Sequence, residues 1–149
     1  MTPRLKAEEV IARLQLAPHP EGGWYRETWA APARDGARPS GTAILFLLAH
    51  DERSHWHRVD ATEIWHFHAG APLELWIAPD ADGPARRTLL GNDLGAGAKV
   101  QGIVPPNHWQ AAQSRGDWSL VGCTVSPGFR FEGFELAPTG FDIPRAGEA

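Results

Sequence analysis

Residues 53–70 read RSHWHRVDATEIWHFHAG, and this stretch is the most informative part of the chain. Aromatic and β-branched side chains alternate with polar ones, a pattern typical of β-strands. It predicts two strands joined by a tight hairpin. Alternation along the first strand would place His55 and His57 on one face, and the hairpin would bring the Glu63 carboxylate towards both imidazoles.

The same pattern, in which short apolar runs are separated by turn residues, continues through most of the chain. Only Pro3–Leu14 has apolar residues at helical spacing, with Thr2 placed to cap the helix. Strands without intervening helices exclude a doubly wound α/β fold and favour an all-β jelly roll or closed barrel. The predicted strands are Trp24–Trp29, Thr42–Leu48, Arg53–Arg58, Glu63–His68, Leu73–Ala78, Arg86–Leu90, Lys99–Val104, Trp109–Ala112, Ser119–Val125 and Phe131–Leu136.

Length and composition narrow the class of protein. The 149 residues include 14 basic and 18 acidic side chains, a net charge of −4, and predict one domain without a basic surface for nucleic acid. The longest apolar run, residues 42–49, is too short to cross a membrane. A single cysteine, Cys123, and the lack of a signal peptide indicate a reducing, cytoplasmic setting. The tail after Pro138 is polar, and we expect it to be only partly ordered.

The histidines and Glu63 are the best candidates for chemistry. Two imidazoles and one carboxylate form a set of ligands that suits Fe(II) and similar divalent metals. The other reading is a hydrogen-bonded polar network inside a barrel, because spacing alone does not show that the side chains converge. His66 and His68 alternate with Glu63 and are expected to face outward or towards a partner subunit.

The histidine region resembles the first motif of the cupin superfamily of small jelly-roll barrels. His55-x-His57, Glu63 and Gly70 match that motif, with one extra residue between His57 and Glu63. The second motif corresponds to residues 105–110, PPNHWQ, where Gln110 replaces the last metal-binding histidine. The resemblance implies a divalent metal (Fe, Mn, Ni or Zn) held by His55, His57, Glu63 and Gln110, with weaker affinity because a Gln carbonyl is a poorer ligand.

A narrower resemblance covers nearly the whole chain. The segments PHPEGGWYRE (18–27), EIWHFHAG (63–70), residues 104–111 and LVGCTVSPGF (120–129) are similar to the cupin-5 family. That family implies a cupin-type jelly-roll β-barrel with a short N-terminal helix, a homodimer, and an activity that is mostly unassigned, with likenesses to deoxysugar epimerases. On this basis we expect one domain over residues 1–149, with the helix at about 3–14, the barrel at about 22–137 and a flexible tail at 138–149.

Several further residues are candidates for a binding pocket. The Pro/Gly-shaped segment 18–27 is either a simple bend or a lip over the barrel mouth. In the second case Glu21 could act as an acid or base and Arg26 could bind an anionic group. Trp56, Trp65 and Trp109 adjoin the proposed pocket residues, although tryptophan is more often a core residue. The phenylalanines at 129, 131 and 134 are read first as core or dimer surface, and Cys123 as an inert buried thiol.

Three functions remain open from the sequence. The first is a metal-dependent isomerase, lyase or dioxygenase acting on a small metabolite in the barrel. The second is a metal-free enzyme similar to sugar epimerases. In it His57 is the base, Glu63 or Glu21 assists, and Arg26, Arg53 and Arg58 neutralise a nucleotide-sugar pyrophosphate. The third is a barrel that binds a small ligand without turnover.

Overall fold

The computed structural model describes residues 4–147, which form two antiparallel sheets packed face to face. The elements are α1 Ala7–Leu14, β1 Ala17–Pro18, β2 Trp24–Ala30, β3 Thr42–Ala49, β4 Arg53–Val59, β5 Thr62–Gly70, β6 Leu73–Ala78, β7 Arg86–Leu90, β8 Gln101–Val104, β9 Trp109–Ser114, β10 Trp118–Ser126 and β11 Phe134–Leu136. The first sheet has the strand order β1-β2-β3-β10-β5-β8, and the second has the order β11-β4-β9-β6-β7. The expected fold class, an all-β jelly roll with a short N-terminal helix, is confirmed.

The strands match the sequence prediction closely, and the differences lie at their ends. β8 begins at Gln101 instead of Lys99, and residues 131–133 form a 3-10 turn before β11. The helix begins at Ala7 instead of Pro3, because Lys6 has extended backbone and its N–H donates to the Glu9 carboxylate at 3.0 Å. Residues 1–3, with the predicted cap Thr2, lie outside the described part of the chain.

The predicted hairpin between β4 and β5 is wrong. β4 pairs with β9 and β11 in the second sheet, whereas β5 pairs with β10 and β8 in the first. The chain crosses from one sheet to the other at Asp60 and Ala61, so the two strands face each other across the interior. Facing strands can still bring side chains together, and His57 and Glu63 both line the space between the sheets.

Most of that space is filled by a buried apolar core. The core consists of side chains from both sheets, including Phe46, Leu48, Trp65, Leu75 and Val121, each no more than 1% exposed. Burial of such side chains is the main source of stability for a sandwich of this kind. The core leaves one end of the interior open, and the candidate site lies there.

Two further segments cover the outer faces of the sheets. Helix α1 packs on the first sheet through Val10, and the Trp118 indole donates to the Leu5 carbonyl at 2.8 Å. The segment expected to be a loosely ordered tail instead packs on the second sheet, where Phe141 contacts Trp109 and Ile143 is 1% exposed. Apolar side chains within an otherwise polar segment account for this packing. No helix among residues 4–147 is long and apolar enough to cross a membrane.

Candidate functional site

A cavity of about 250 Å³ opens between the two sheets at the end that the core does not fill. It is deep and mostly apolar, with a small group of titratable side chains on its wall, as is typical of small-molecule sites. The lining residues are His19, Glu21, Tyr25, Glu27, Thr42, Ile44, His57, Val59, Glu63, Cys123, Val125, Phe129, Phe131 and Phe134.

His57 reaches the cavity because β4 is irregular. The pairing of β4 with β9 shifts by one residue between Ser54 and His57, so these two side chains both point inward. The His57 Nδ1 atom lies 2.8 Å from the His55 carbonyl oxygen. A carbonyl only accepts hydrogen bonds, so Nδ1 carries the proton and Nε2 presents its lone pair. Burial lowers the pKa of His57, which keeps the ring neutral.

Glu21 is delivered to the same place by the turn that precedes β2. The Glu21 carbonyl accepts from the His55 N–H at 2.8 Å, and Ser54 Oγ donates to Glu21 Oε2. The other carboxyl oxygen, Oε1, lies 3.5 Å from His57 Nε2. Burial raises the pKa of Glu21 to about 8, so the carboxyl is protonated at neutral pH.

His19 completes a row of three titratable groups. Its Nδ1 accepts the Glu21 N–H at 3.1 Å and lies 3.4 Å from Glu21 Oε1. Burial, with a further contribution from His57, lowers the pKa of His19 to about 4. Glu21 Oε1 therefore lies near the lone pair of His57 Nε2 and near a His19 nitrogen that already accepts the Glu21 N–H, and a proton on this oxygen avoids repulsion with both rings.

Glu63 is held on the opposite wall by a chain of buried hydrogen bonds. The Trp65 indole donates to Gln110 Oε1 at 2.7 Å, and Gln110 Nε2 donates to Glu63 Oε1 at 2.8 Å. Burial raises the pKa of Glu63 to about 7, opposed in part by His57. Cys123 also contacts this carboxyl, and burial raises the pKa of its thiol, in keeping with an unreactive cysteine.

The predicted metal ligands do not converge. The irregularity in β4 turns His55 away from the cavity, and its Nε2 hydrogen-bonds to the Pro138 carbonyl at 3.0 Å. The amide oxygen of Gln110 is already occupied by Trp65, so of the four residues only His57 and Glu63 face the cavity. Among residues 4–147, no three His, Cys, Asp or Glu side chains are arranged to hold a metal. The donor set therefore does not fit the divalent metal that the motif implies.

The predicted ligand-binding residues also lie outside the cavity wall. Arg26 is exposed on the opposite face of β2 from Tyr25 and donates to Gln15 at 3.4 Å. Trp56 and Trp109 are buried on the outer side of the second sheet, under the C-terminal segment. Trp65 and Gln110 do not line the cavity, but Gln110 donates a hydrogen bond to the Glu63 carboxyl and accepts one from the Trp65 indole. The expectation that Arg26 and these aromatic residues line a pocket is not met.

The outward orientation of His66 agrees with its alternation along β5. Its ring contacts Thr124 at 3.0 Å and Gln101 at 3.1 Å on the outer face of the first sheet. Three residues at the site, His19, Ser54 and Tyr25, were not indicated by the sequence patterns. His19 had a usable signal, because it stands two residues before Glu21 in the segment interpreted as a lip. Of the phenylalanines assigned to core or dimer surface, Phe129 and Phe134 do pack against a buried apolar cluster, and all three also line the cavity.

Comparison with known proteins agrees with this fold. The family profile that matches, Cupin_5, described as cupin superfamily (DUF985), covers residues 8–137. A crystal structure of a Shewanella oneidensis protein is 40% identical, with a TM-score of 0.84 over 90% of this chain and 85% of that one. A hypothetical protein from Leishmania major is 34% identical, with a TM-score of 0.81 over 92% and 90% of the two chains.

More distant structures share the fold alone. A cupin 2 conserved barrel domain protein from Rhodopseudomonas palustris is 15% identical, with a TM-score of 0.56 over 95% of this chain and 78% of that one. No curated protein matches the chain. The profile match over most of the sequence, together with the two-sheet fold, shows that the chain belongs to the Cupin_5 family of the cupin superfamily.

Proposed function

We propose that the protein is an enzyme that moves protons on a small molecule bound in the cavity, without a metal. The observation that carries this proposal is the placement of Glu21 Oε1 at 3.5 Å from His57 Nε2, on the wall of the cavity. A neutral imidazole beside a protonated carboxyl is a base and an acid in the forms that catalysis at neutral pH requires.

The geometry supports a simple sequence of proton transfers. His57 Nε2 takes a proton from a carbon next to a substrate carbonyl, and the electron pair of the broken C–H bond moves into the carbonyl group. Glu21 gives its proton to the carbonyl oxygen, which yields an enol. In an α-hydroxy carbonyl compound this enol is an enediol, and return of the proton from His57 to the former carbonyl carbon, as the neighbouring hydroxyl gives its proton to Glu21, yields the isomer. Hydrogen bonds from Nδ1 to the His55 carbonyl and from Ser54 to Glu21 hold both groups in place.

The same geometry argues against two of the functions that the sequence left open. The metal-dependent reading loses its ligand set, because His55 and Gln110 are engaged elsewhere. A nucleotide-sugar substrate loses its expected anchors, because Arg26, Arg53 and Arg58 do not line the cavity. Arg58 instead pairs with Glu135 at 2.8 Å and stacks over Trp109.

The experiment that tests the proposal follows deuterium uptake from D2O into carbonyl compounds by NMR, with EDTA present throughout. The panel contains neutral, cationic and anionic α-hydroxy and α-amino carbonyl compounds. We expect catalysed exchange in at least one member, lost in His57→Gln and Glu21→Gln. His55→Gln is the matched control, since this neighbouring histidine lies outside the cavity and should leave the rate unchanged.

Two results would overturn the proposal. Exchange that appears only when EDTA is replaced by an added divalent metal contradicts the metal-free mechanism, and exchange that survives in His57→Gln removes His57 as the base. The lack of exchange across the panel, in a protein that still binds some of its members, favours a ligand-binding barrel without catalysis.

We further propose that the enzyme works as a cytoplasmic homodimer. Ile103 and Val100, 59% and 48% exposed, place apolar surface at the edge strand β8, where a second copy could cover it. The buried thiol of Cys123 is compatible with a reducing compartment. Light scattering at micromolar concentration should give a dimer mass that Ile103→Lys reduces to a monomer, and a monomeric wild type would contradict this assembly.

A further inference from the structure

The charge of the cavity wall is one-sided. Glu21, Glu27 and Glu63 contribute three carboxyl groups, and none of the lining residues in the described part of the chain is a lysine or an arginine. Burial holds Glu21 in its neutral form and raises the pKa of Glu63 to about 7, so the exposed Glu27 carboxylate supplies the main negative charge. An anionic ligand entering this cavity would lose its hydration without meeting a lysine or arginine, which is costly in a buried site. A ligand that carries positive charge would meet the Glu27 carboxylate.

Arg38 and Arg130, which bond to or adjoin residues next to the cavity phenylalanines, already have other partners. Arg38 donates to Asp60 at 2.6 Å and to the Gly128 carbonyl, also at 2.6 Å. Arg130, which adjoins two cavity phenylalanines in sequence, lies 3.7 Å from the same aspartate. These guanidinium groups are held by Asp60 and are not on the cavity wall. Among residues 4–147, the cavity wall therefore offers no lysine or arginine to bind a phosphate or carboxylate.

Three phenylalanines form an aromatic wall beside the carboxyl groups. The Phe129 and Phe131 rings pack edge to face with centroids 5.0 Å apart, and Phe134 packs against both. Phe131 is 54% exposed although it lines the cavity. Aromatic faces attract cations through their quadrupoles, and carboxyl groups nearby add to this attraction.

Glu27 provides the third element at the entrance. It lies on β2, two residues after Tyr25, so the two side chains point to the same side of the strand, and both line the cavity. The Glu27 side chain is exposed and shares the cavity wall with the three phenylalanines. An exposed carboxylate on the same wall as aromatic rings is a favourable position for a positively charged nitrogen.

We infer that the cavity takes a small organic cation, a ligand with an ammonium group, and rejects anions. The phenylalanine wall and Glu27 would hold the charged nitrogen near the mouth, and the rest of the ligand would extend towards His57 and Glu21. This inference rests on the proposed function only in that it names the substrate class of the same cavity.

The test compares three probes by calorimetry and by NMR shifts of the cavity histidines. Choline carries a trimethylammonium group, 3,3-dimethylbutan-1-ol is its uncharged isostere, and inorganic pyrophosphate is the anion. We expect choline to bind saturably and about tenfold or more tighter than the isostere, with no binding of pyrophosphate. Tighter or equal binding of the isostere or of pyrophosphate, or a lack of saturable choline binding, overturns the inference.

Variants locate the binding on the cavity wall. Phe131→Ala and Glu27→Gln should each weaken choline about fivefold or more, and Glu27→Gln should leave the neutral isostere unaffected. Trp29→Ala is the matched control, because this tryptophan is also 54% exposed but does not line the cavity. Equal losses in Phe131→Ala and Trp29→Ala would contradict the assigned position.

The two proposals fail separately. Choline has no carbonyl group, so its binding does not depend on proton transfer by His57. Binding of pyrophosphate would contradict the inference of a cationic ligand but would not affect the proposal of proton transfer, which deuterium exchange tests. Loss of exchange with choline binding intact would remove the catalytic proposal and leave the ligand class.

Discussion

At the scale of single residues, Glu21 determines what the cavity can do. Its carboxyl is 9% exposed and lies between Ser54 and the two imidazoles of His19 and His57. Burial favours its neutral form, and the histidines are kept neutral by the same burial. A proton is therefore stored on the carboxyl beside a free lone pair, which is the state that general acid–base chemistry needs before a substrate arrives.

Glu21→Gln should make stability less sensitive to alkaline pH. The folded-state pKa of about 8 lies above the unfolded value near 4.5, so the protonated form favours folding. Its contribution is complete below the unfolded pKa and is lost as pH rises through about 8. We expect the variant to be more stable than wild type by about 2 to 4 kcal/mol at pH 9, and to lose this advantage below pH 5. Thermal unfolding from pH 5 to pH 9.5 measures this, and parallel curves would contradict it.

Gln110 should matter for stability through its two partners. Gln110→Leu leaves the Trp65 indole N–H and the Glu63 carboxyl without their buried hydrogen bonds. We expect a loss of about 2 to 5 kcal/mol in the free energy of unfolding, measured with denaturant. Gln113→Leu, on the same strand but exposed, is the control and should change stability by less than about 1 kcal/mol. Similar losses of stability in both variants would show that the hydrogen bonds from Trp65 to Gln110 and from Gln110 to Glu63 do not account for the effect.

Sequence reasoning identified part of the cavity wall at this scale. His57 and Glu63 follow from the spacing of the histidine motif, and Glu21 from its Pro/Gly-rich surroundings. His55 was placed wrongly because strict alternation assumes a regular strand, and the irregularity between Ser54 and His57 has no signature in those residue types. To place Arg26, one must know which face of β2 points towards the cavity, and the sequence of residues 18–27 does not specify this.

At the scale of elements, the turn before β2 and the irregular part of β4 act as a unit. The His55 N–H donates to the Glu21 carbonyl at 2.8 Å, and this bond fixes the turn against the strand that carries His57. Gly22 makes the close approach possible. A Cβ at this position would lie 2.0 Å from the Arg53 carbonyl oxygen, and the backbone has φ +109°.

Gly22→Ala should therefore displace the turn and Glu21 with it. We expect a loss of about 2 kcal/mol or more in the free energy of unfolding, together with loss of the catalysed deuterium exchange. Gly36→Ala is the control, since its φ is +75° but a Cβ there meets no atom within 4 Å. Its cost should be about 1 kcal/mol, with the exchange rate unchanged. Retained exchange in Gly22→Ala would mean that the turn does not position Glu21.

The elements themselves could largely be predicted, but their pairing could not. Turn residues and apolar runs marked ten of the strands within a few residues, and the two-residue β1 was missed. The supposed hairpin failed because a four-residue link fits a hairpin as well as a crossing between sheets. The C-terminal segment was expected to be loose because it is polar on average, although Phe141 and Ile143 are enough to attach it to the second sheet.

At the scale of the whole molecule, the space between the two sheets contains both the apolar core that stabilises the fold and the cavity that holds the candidate site. One end is a tightly packed apolar core, and the other is a cavity whose polar groups are held by backbone and buried side-chain bonds. The fold was predictable because the motif resemblance extends along most of the chain. The metal expected from the same resemblance was not supported, since it depended on four side chains converging on one point.

Metal removal should leave the protein unchanged. Because the donor set does not converge in residues 4–147, we expect far less than one metal ion per chain in tag-free protein after dialysis. EDTA should alter neither the unfolding temperature nor the deuterium exchange rate. Elemental analysis by mass spectrometry is the measurement, and stoichiometric metal that is lost in His57→Ala would restore the metal-dependent reading.

The proposed chemistry requires a protonated carboxyl beside a neutral imidazole in the cavity, and a carboxyl-carbon NMR titration measures whether it is there. Glutamate labelled with 13C, with Glu21→Gln and Glu63→Gln for assignment, reports both carboxyl groups separately. We predict that Glu21 titrates with a pKa of about 8 and Glu63 with a pKa of about 7. Titration of both groups near their ordinary value of 4.5 would show that the cavity holds two carboxylates at neutral pH and would contradict the account.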